Sequence, residues 1–193
     1  YLINLHLKSN NFTFSIEHSD LLSYNKYINE RGIIYMSQIY FASPLFSEME
    51  LNYNAQLVKQ IREKYTESTV FLPQEQGDIN DKQSYADSMM IAKADTEAVL
   101  KSDLVVAILD GLVIDPGVAS EIGVAYQAGI PVIGLHSDQR HQGADNQEKL
   151  DALQNVAESQ FPYVNLYTVG LIKLNGEIVN TSQELIERIS NYI

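Results

Sequence analysis

The 193-residue sequence contains no cysteine. Disulfides, thiolate nucleophiles and cysteine-ligated zinc are therefore excluded, and the cytoplasm is the expected location. Cations are scarce: 13 Lys and Arg stand against 25 Asp and Glu, for a formal net charge of −12. That balance argues against a nucleic-acid footprint or an anionic membrane surface as partner and leaves small polar molecules. No apolar run approaches the roughly 20 residues of a membrane span, and the first residues lack a basic-then-apolar signal pattern. There is no GxGxxG after the first core strand, where IYFASPLF stands instead, and no P-loop lysine motif. Dinucleotide and triphosphate binding lose their usual support. His136, His141 and Asp138 form a metal site only on paper, since no other His lies beyond residue 35; a solvated loop is the preferred reading.

At 45% hydrophobic, the chain suits one domain with a sizeable core. Its organising stretch is residues 103–134, DLVVAILDGLVIDPGVASEIGVAYQAGIPVIG. Residues 104–109 read as a strand buried on both faces. Asp115, Pro116 and Gly117 mark a helix start, with Asp115 able to cap free N–H groups and Pro116 preset for the first helical position. The helix should run to about Gln127 and end at Gly129, with a second buried strand at 130–135. Together these make one strand-helix-strand unit.

Glu121 is the odd residue in that unit. Val118, Ala119, Ile122, Val124, Ala125, Tyr126 and Ala128 make the helix apolar nearly all round, as buried helices are. Ser120 and Gln127 share a face, read as the wet one, and Glu121 points about 100° away from it. A carboxylate among apolar neighbours is costly unless paired or used. The plainer alternative is that it only complements the helix dipole, for under roughly 1 kcal/mol.

The flanking chain alternates strands and helices. Residues 1–35 carry no sustained period, and Met36 resembles a natural start; the segment is expected to be a peripheral extension, the alternative being an edge hairpin of residues 2–7 and 12–16. Gln38–Ala42 reads as the first core strand, broken at Ser43-Pro44. Helices are expected at 46–65, 84–101, 149–159 and 182–193, and further strands at 69–72 and 167–174, the last turned at Asn175-Gly176. Residues 73–81 and 137–147 read as polar loops. This alternation predicts an α/β fold, a doubly wound parallel five-stranded sheet of order 2-1-3-4-5 spanning 36–193. Ligands then bind beyond the carboxyl ends of strands one and three, at residues 40–46 and 110–121, where Glu121 lies. Asp95, on the helix at 84–101, adjoins apolar positions Ile91 and Ala98 and is either an ordinary surface acid or a second site carboxylate.

At this point the residues match a family. SDLVVAILDGLVIDPGVASEIGVAYQAGIPVIGL, with QIYFASPLF upstream, resembles the nucleoside 2-deoxyribosyltransferases and related deoxyribosidases, through a D-x-G-x-x-x-E-x-G core at Asp115, Gly117, Glu121 and Gly123. The resemblance implies a flavodoxin-like fold, no cofactor, and a homo-oligomer whose subunits share sites. It makes Glu121 the nucleophile, Tyr40 the residue that positions it, Asp95 an acid near the base and Asp115 a sugar contact. Asn165 matches an Asn that completes a neighbouring subunit's sugar pocket, and Ala42, Phe46 and Gly117 are further substrate-binding candidates. Gln74 and Gln76 are candidate base contacts.

The chemistry is consistent with those roles. Breaking an N-glycosidic bond passes through an oxocarbenium-like state, so it needs an anion beneath the sugar carbon and a proton donor at the leaving base. The expected partners are deoxyribonucleosides and free nucleobases, with exchange of 2-deoxyribose between bases as the expected reaction. The alternatives are a deoxyribonucleoside or deoxyribonucleotide N-glycosidase and a non-catalytic nucleotide-sensing module. If residues 1–35 are peripheral, deleting them should leave the melting temperature within a few degrees by scanning calorimetry; a large loss of solubility or stability would make them part of the fold.

Overall fold

The computed structural model describes residues 26–29, 32–77, 87–142, 145–158 and 163–193. Strands β1 (Lys26–Asn29) and β2 (Gly32–Tyr35) pair antiparallel as a separate two-stranded sheet. The alternative hairpin at 2–7 and 12–16 lies outside the described residues. The main sheet comprises β3 (Gln38–Ala42), β4 (Thr69–Phe71), β5 (Leu104–Ile108), β6 (Val132–Leu135) and β7 (Gly176–Val179). All its pairings are parallel, in the order β4-β3-β5-β6-β7. Counted from β3, that is the expected 2-1-3-4-5 order, and the fold is flavodoxin-like.

Helices cover both faces. The described helices are α1 (Glu48–Lys64), α2 (Ser88–Leu100), α3 (Pro116–Gln127), α4 (Gln147–Ala152), α5 (Leu166–Leu174) and α6 (Ser182–Arg188). Side chains alternate across each strand, so Ile39 and Phe41 join Leu57, Ile61, Leu185 and Ile189 of the α1 and α6 layer. Tyr40 and Ala42 join Ala98, Val118, Ile122, Ala125 and Ile172 on the opposite face. The central strand is thus buried on both sides, which is why it reads as a continuous apolar run.

Caps set the helix limits. Ser47 and Glu50 form a capping box, so α1 starts at Glu48 rather than at Phe46. Asp87 accepts the Met90 N–H at 2.8 Å and opens α2 at Ser88; residues 84–86 lie outside the described residues. Asn146 opens α4 at Gln147, which ends at Ala152 because Gln154, Asn155 and the exposed Val156 offer no apolar face to bury. Thr181 caps α6, and the segment after Arg188 tightens into a 3₁₀ turn at Ile189–Asn191.

One expectation is overturned. Residues 167–174 are not the last strand but most of helix α5, and the strand follows at Gly176–Val179. The run YTVGLIKL is β-prone, yet the Asn165 side chain caps the Tyr167 and Thr168 N–H groups. Thr168 and Ile172, one turn apart, are the buried positions. Asn175-Gly176 accordingly joins helix to strand instead of turning a hairpin. A Cβ on Gly176 would lie 2.0 Å from the Val132 carbonyl oxygen, so only glycine allows β7 to start beside β6.

Phe41 is fully buried at the centre of the α1-side layer. Phe41→Ala is expected to lower unfolding free energy by about 3–5 kcal/mol in urea titrations.

Candidate active site

The strand order reverses between β3 and its neighbours β4 and β5, and a cleft of about 260 Å³ opens beyond the ends of β3 and β4. Its lining includes Phe46 from the loop after β3, Gln76 after β4, Asp95 from α2, and Asp115, Gly117 and Glu121 from the start of α3. Glu121 is there because α3 lays Val118, Ile122 and Ala125 on the sheet. That places its neighbour Glu121, in the second turn of the helix, toward Tyr40 of β3.

Tyr40 meets Glu121 there. Its ring is fully buried and stacks on Phe71, its register partner in β4, with centroids 5.5 Å apart and planes 14° apart. The phenol O–H donates to Glu121 Oε1 at 2.7 Å. A residue in the middle of one strand and a residue on a helix 81 positions later therefore form one unit.

The electrostatics are those of a crowded acidic pocket. Burial pushes the Glu121 carboxyl up to about 7 from its ordinary 4.5. The Tyr40 hydrogen bond pulls it back, and the charges of Asp95 and Asp115 raise it further. Burial also raises Asp95, and burial followed by the Glu121 charge raises the Tyr40 phenol, which stays protonated as a donor.

Asp115 is a helix cap in fact: its Oδ1 accepts from the Gly117 and Val118 N–H groups at 2.8 and 3.1 Å. A Cβ on Gly117 would sit 2.9 Å from that oxygen, which explains the glycine. Both residues also face the cleft, so capping and ligand contact are compatible. Phe46 lines the cleft while 79% exposed. Ala42 is buried in the core and is not among the lining residues. Asn165 caps α5 and likewise does not line its own chain's cleft. Gln76 lines it, whereas Gln74 is occupied with Asn54 and the Leu51 carbonyl.

Ser43, Leu45 and Val118 fall within the stretches 40–46 and 110–121 that the sequence places at the site, though without a role of their own, and Pro73 and Ile91 lie outside those stretches. The Ser43-Pro44 break in the strand was the available signal for Ser43. Among the described residues no group of three or more His, Asp or Glu could hold a metal ion. Asp138 is engaged by Arg140, and the His141 side chain lies outside the described residues. A more open groove of about 480 Å³, beside Val164, Leu166 and Asn180, holds a single acid, Glu184, and no carboxylate pair.

The model of the nucleoside 2-deoxyribosyltransferase family matches residues 39–155, a span that contains Tyr40, Asp95, Asp115 and Glu121. The chain belongs to that family. Among solved structures, a conserved protein from Enterococcus faecalis V583 is 61% identical over 82% of this chain and 99% of its own, with a TM-score of 0.78. A 2-deoxyribosyltransferase from Leishmania mexicana shares the fold at 16% identity, 81% and 99% coverage and a TM-score of 0.56. A 2-deoxyribosyltransferase from Bacillus psychrosaccharolyticus is 23% identical over 66% of this chain and 99% of its own, with a TM-score of 0.43. No curated protein sequence matches the chain. Among the described residues no helix is long and apolar enough to cross a membrane.

The Glu121 shift has a consequence for stability in this family member. Between pH 4.5 and about 7 the folded protein holds a proton that the unfolded chain has lost, so this group withdraws stability as pH rises. Glu121→Gln keeps an acceptor for Tyr40 and removes that loss. It should be more stable than the parent near pH 8, by about 1–3 kcal/mol, and equal to it near pH 4, in urea unfolding at both values.

Proposed function

We propose that the protein transfers 2-deoxyribose between nucleobases through a covalent ester on Glu121. The observation that carries this reading is the 2.7 Å hydrogen bond from Tyr40 to Glu121 in a cleft that also holds Asp95. The bond fixes one carboxylate oxygen and leaves the other for C1′ of the sugar. With a pKa near 7, Glu121 is largely ionised at slightly alkaline pH yet poorly solvated, which favours attack on carbon.

In the first half-reaction a Glu121 oxygen bonds C1′ as the C1′–N bond breaks, and the bond's electron pair leaves on the base nitrogen. Asp95, whose pKa burial raises, is the acid assigned to protonate that base. In the second, the incoming base nitrogen displaces the ester oxygen and its proton goes to Asp95. Two inversions at C1′ give net retention. Asp115 and Gly117 face the sugar, and Phe46 and Gln76 face the base.

The lining has three carboxylates and no Lys or Arg, which favours uncharged deoxyribonucleosides over 5′-monophosphates. Phe46 and Ile91 line the cleft while exposed, and Met49 of α1 and Met89 of α2 are exposed as well. We assign their cover to a second copy of the chain, which would bring Asn165 to the neighbouring cleft and keep water from the ester. Cytoplasmic salvage of nucleosides is the setting this reading assigns.

The test is chromatography of deoxyinosine incubated with excess adenine. Deoxyadenosine should form with the parent protein and fall by at least about 10³-fold with Glu121→Ala. Hypoxanthine and free deoxyribose without deoxyadenosine would make the protein a hydrolase. No turnover of any deoxyribonucleoside or deoxyribonucleotide, with ligand binding unchanged by Glu121→Ala, would favour a sensing module.

A further inference from the structure

The Ser43 hydroxyl is the polar group in the cleft to which the chemistry above gives no task. Ser43 follows β3 directly, is only 7% exposed, and lines the cleft together with Asp95, Asp115 and Glu121. Its Oγ has no hydrogen-bond partner among the described residues. A buried hydroxyl left that way costs about 1–3 kcal/mol. Comparable buried groups are satisfied: Asn54 donates to the Pro44 carbonyl and to Gln74, Ser37 pairs with Ser68, and Ser102 donates to the Ala98 carbonyl. An orphaned polar atom confined to a cleft wall points to a ligand as its partner.

The chemistry of the lining identifies the part of the ligand. Asp95, Asp115 and Glu121 accept hydrogen bonds when ionised and cannot donate. Leu45, Phe46, Pro73, Ile91 and Val118 contribute apolar surface. Ser43 and Gln76 are the lining side chains that donate at every protonation state of the acids. Sugar hydroxyls are donors and are served by the carboxylates. A departing base is the opposite case, because the electron pair of the broken C1′–N bond spreads onto its ring nitrogens and oxygens. Those atoms need donors most at the moment the bond breaks.

We infer that Ser43 is a specificity-determining residue whose hydroxyl donates to an acceptor atom of the leaving nucleobase. The inference rests on the reading of the Glu121 cleft as a base-exchange site. Ser43 transfers no proton; it supplies a hydrogen bond that strengthens as charge builds on the base.

Deoxyadenosine provides the test, since the acceptors of its base are confined to N1, N3 and N7, and each can be replaced by carbon in a deaza analogue. Ser43→Ala removes one atom, and its melting temperature should equal or exceed that of the parent; Ser43→Cys serves as a second variant of similar size. Ser43→Ala should lower kcat/KM for deoxyadenosine by about 10–100-fold, mostly in kcat. On the one deaza analogue that lacks the contacted nitrogen, parent and variant should agree within about threefold. If the parent exchanges only pyrimidines, deoxycytidine with its 3-deaza and 2-thio counterparts takes this place. An active parent with an unchanged Ser43→Ala overturns the inference and leaves the Glu121 reading intact. An equal loss on every analogue would place the contact on the sugar or on the glycosidic nitrogen common to all purines, not on an atom that distinguishes bases, and would also overturn it. A parent that exchanges no base removes the Glu121 reading, and the inference with it.

Discussion

A carboxylate held out of water by a protein and given one phenol to bind is the constraint on which the site depends. Glu121 sits among the apolar residues of α3, where its charge is unfavourable enough to push its pKa up to about 7. Tyr40 offsets part of that cost with a 2.7 Å hydrogen bond. The tyrosine in turn owes its position to full burial in β3 and to stacking on Phe71. Moving any of these elements would leave a buried acid unpaired, a cost several times that of an ordinary surface contact. Site geometry and core packing are therefore the same set of contacts seen from two sides.

The double winding of the sheet makes this possible. Because β4 and β5 lie on opposite sides of β3, the connections after β3 and β4 diverge from the one after β5 and leave space beyond the strand ends. Helix α3 begins at that space, with Asp115 closing its first turn. A helix start presents unpaired N–H groups, and the cap satisfies two of them. Apart from Ser43 and Gln76, the remaining lining is acidic or apolar, an environment that suits a neutral ligand with hydroxyl donors and a flat ring. Membership of the nucleoside 2-deoxyribosyltransferase family fits these features.

Much of this was legible in the order of residues. Asp115-Pro116-Gly117 marks the start of α3, and the helix does run to Gln127, with Gly129 at φ +73° beyond it. The apolar run at 104–109 is β5 extended by one residue. Glu121 stood out as the one acid in an otherwise apolar helix, and strand alternation with helices was enough for the sheet order. At α5 the reading failed, because YTVGLIKL satisfies a strand's composition and a helix's spacing equally well. The tie was broken by an Asn165 cap and by the packing of Ile172, which local composition does not encode.

What the sequence determined by itself was whatever depends on near neighbours along the chain: caps, periodicities, the central strand-helix-strand unit and the anomaly of Glu121. Only the tertiary structure decided which distant side chains share a space. Tyr40 reaches Glu121 across 81 positions, Asp95 faces the same cleft from a third element, and Ser43 is left without a partner there. The physical reason is that periodic burial follows from a 2- or 3.6-residue repeat, whereas proximity at a site follows from strand register and helix placement, which are properties of the assembled sheet.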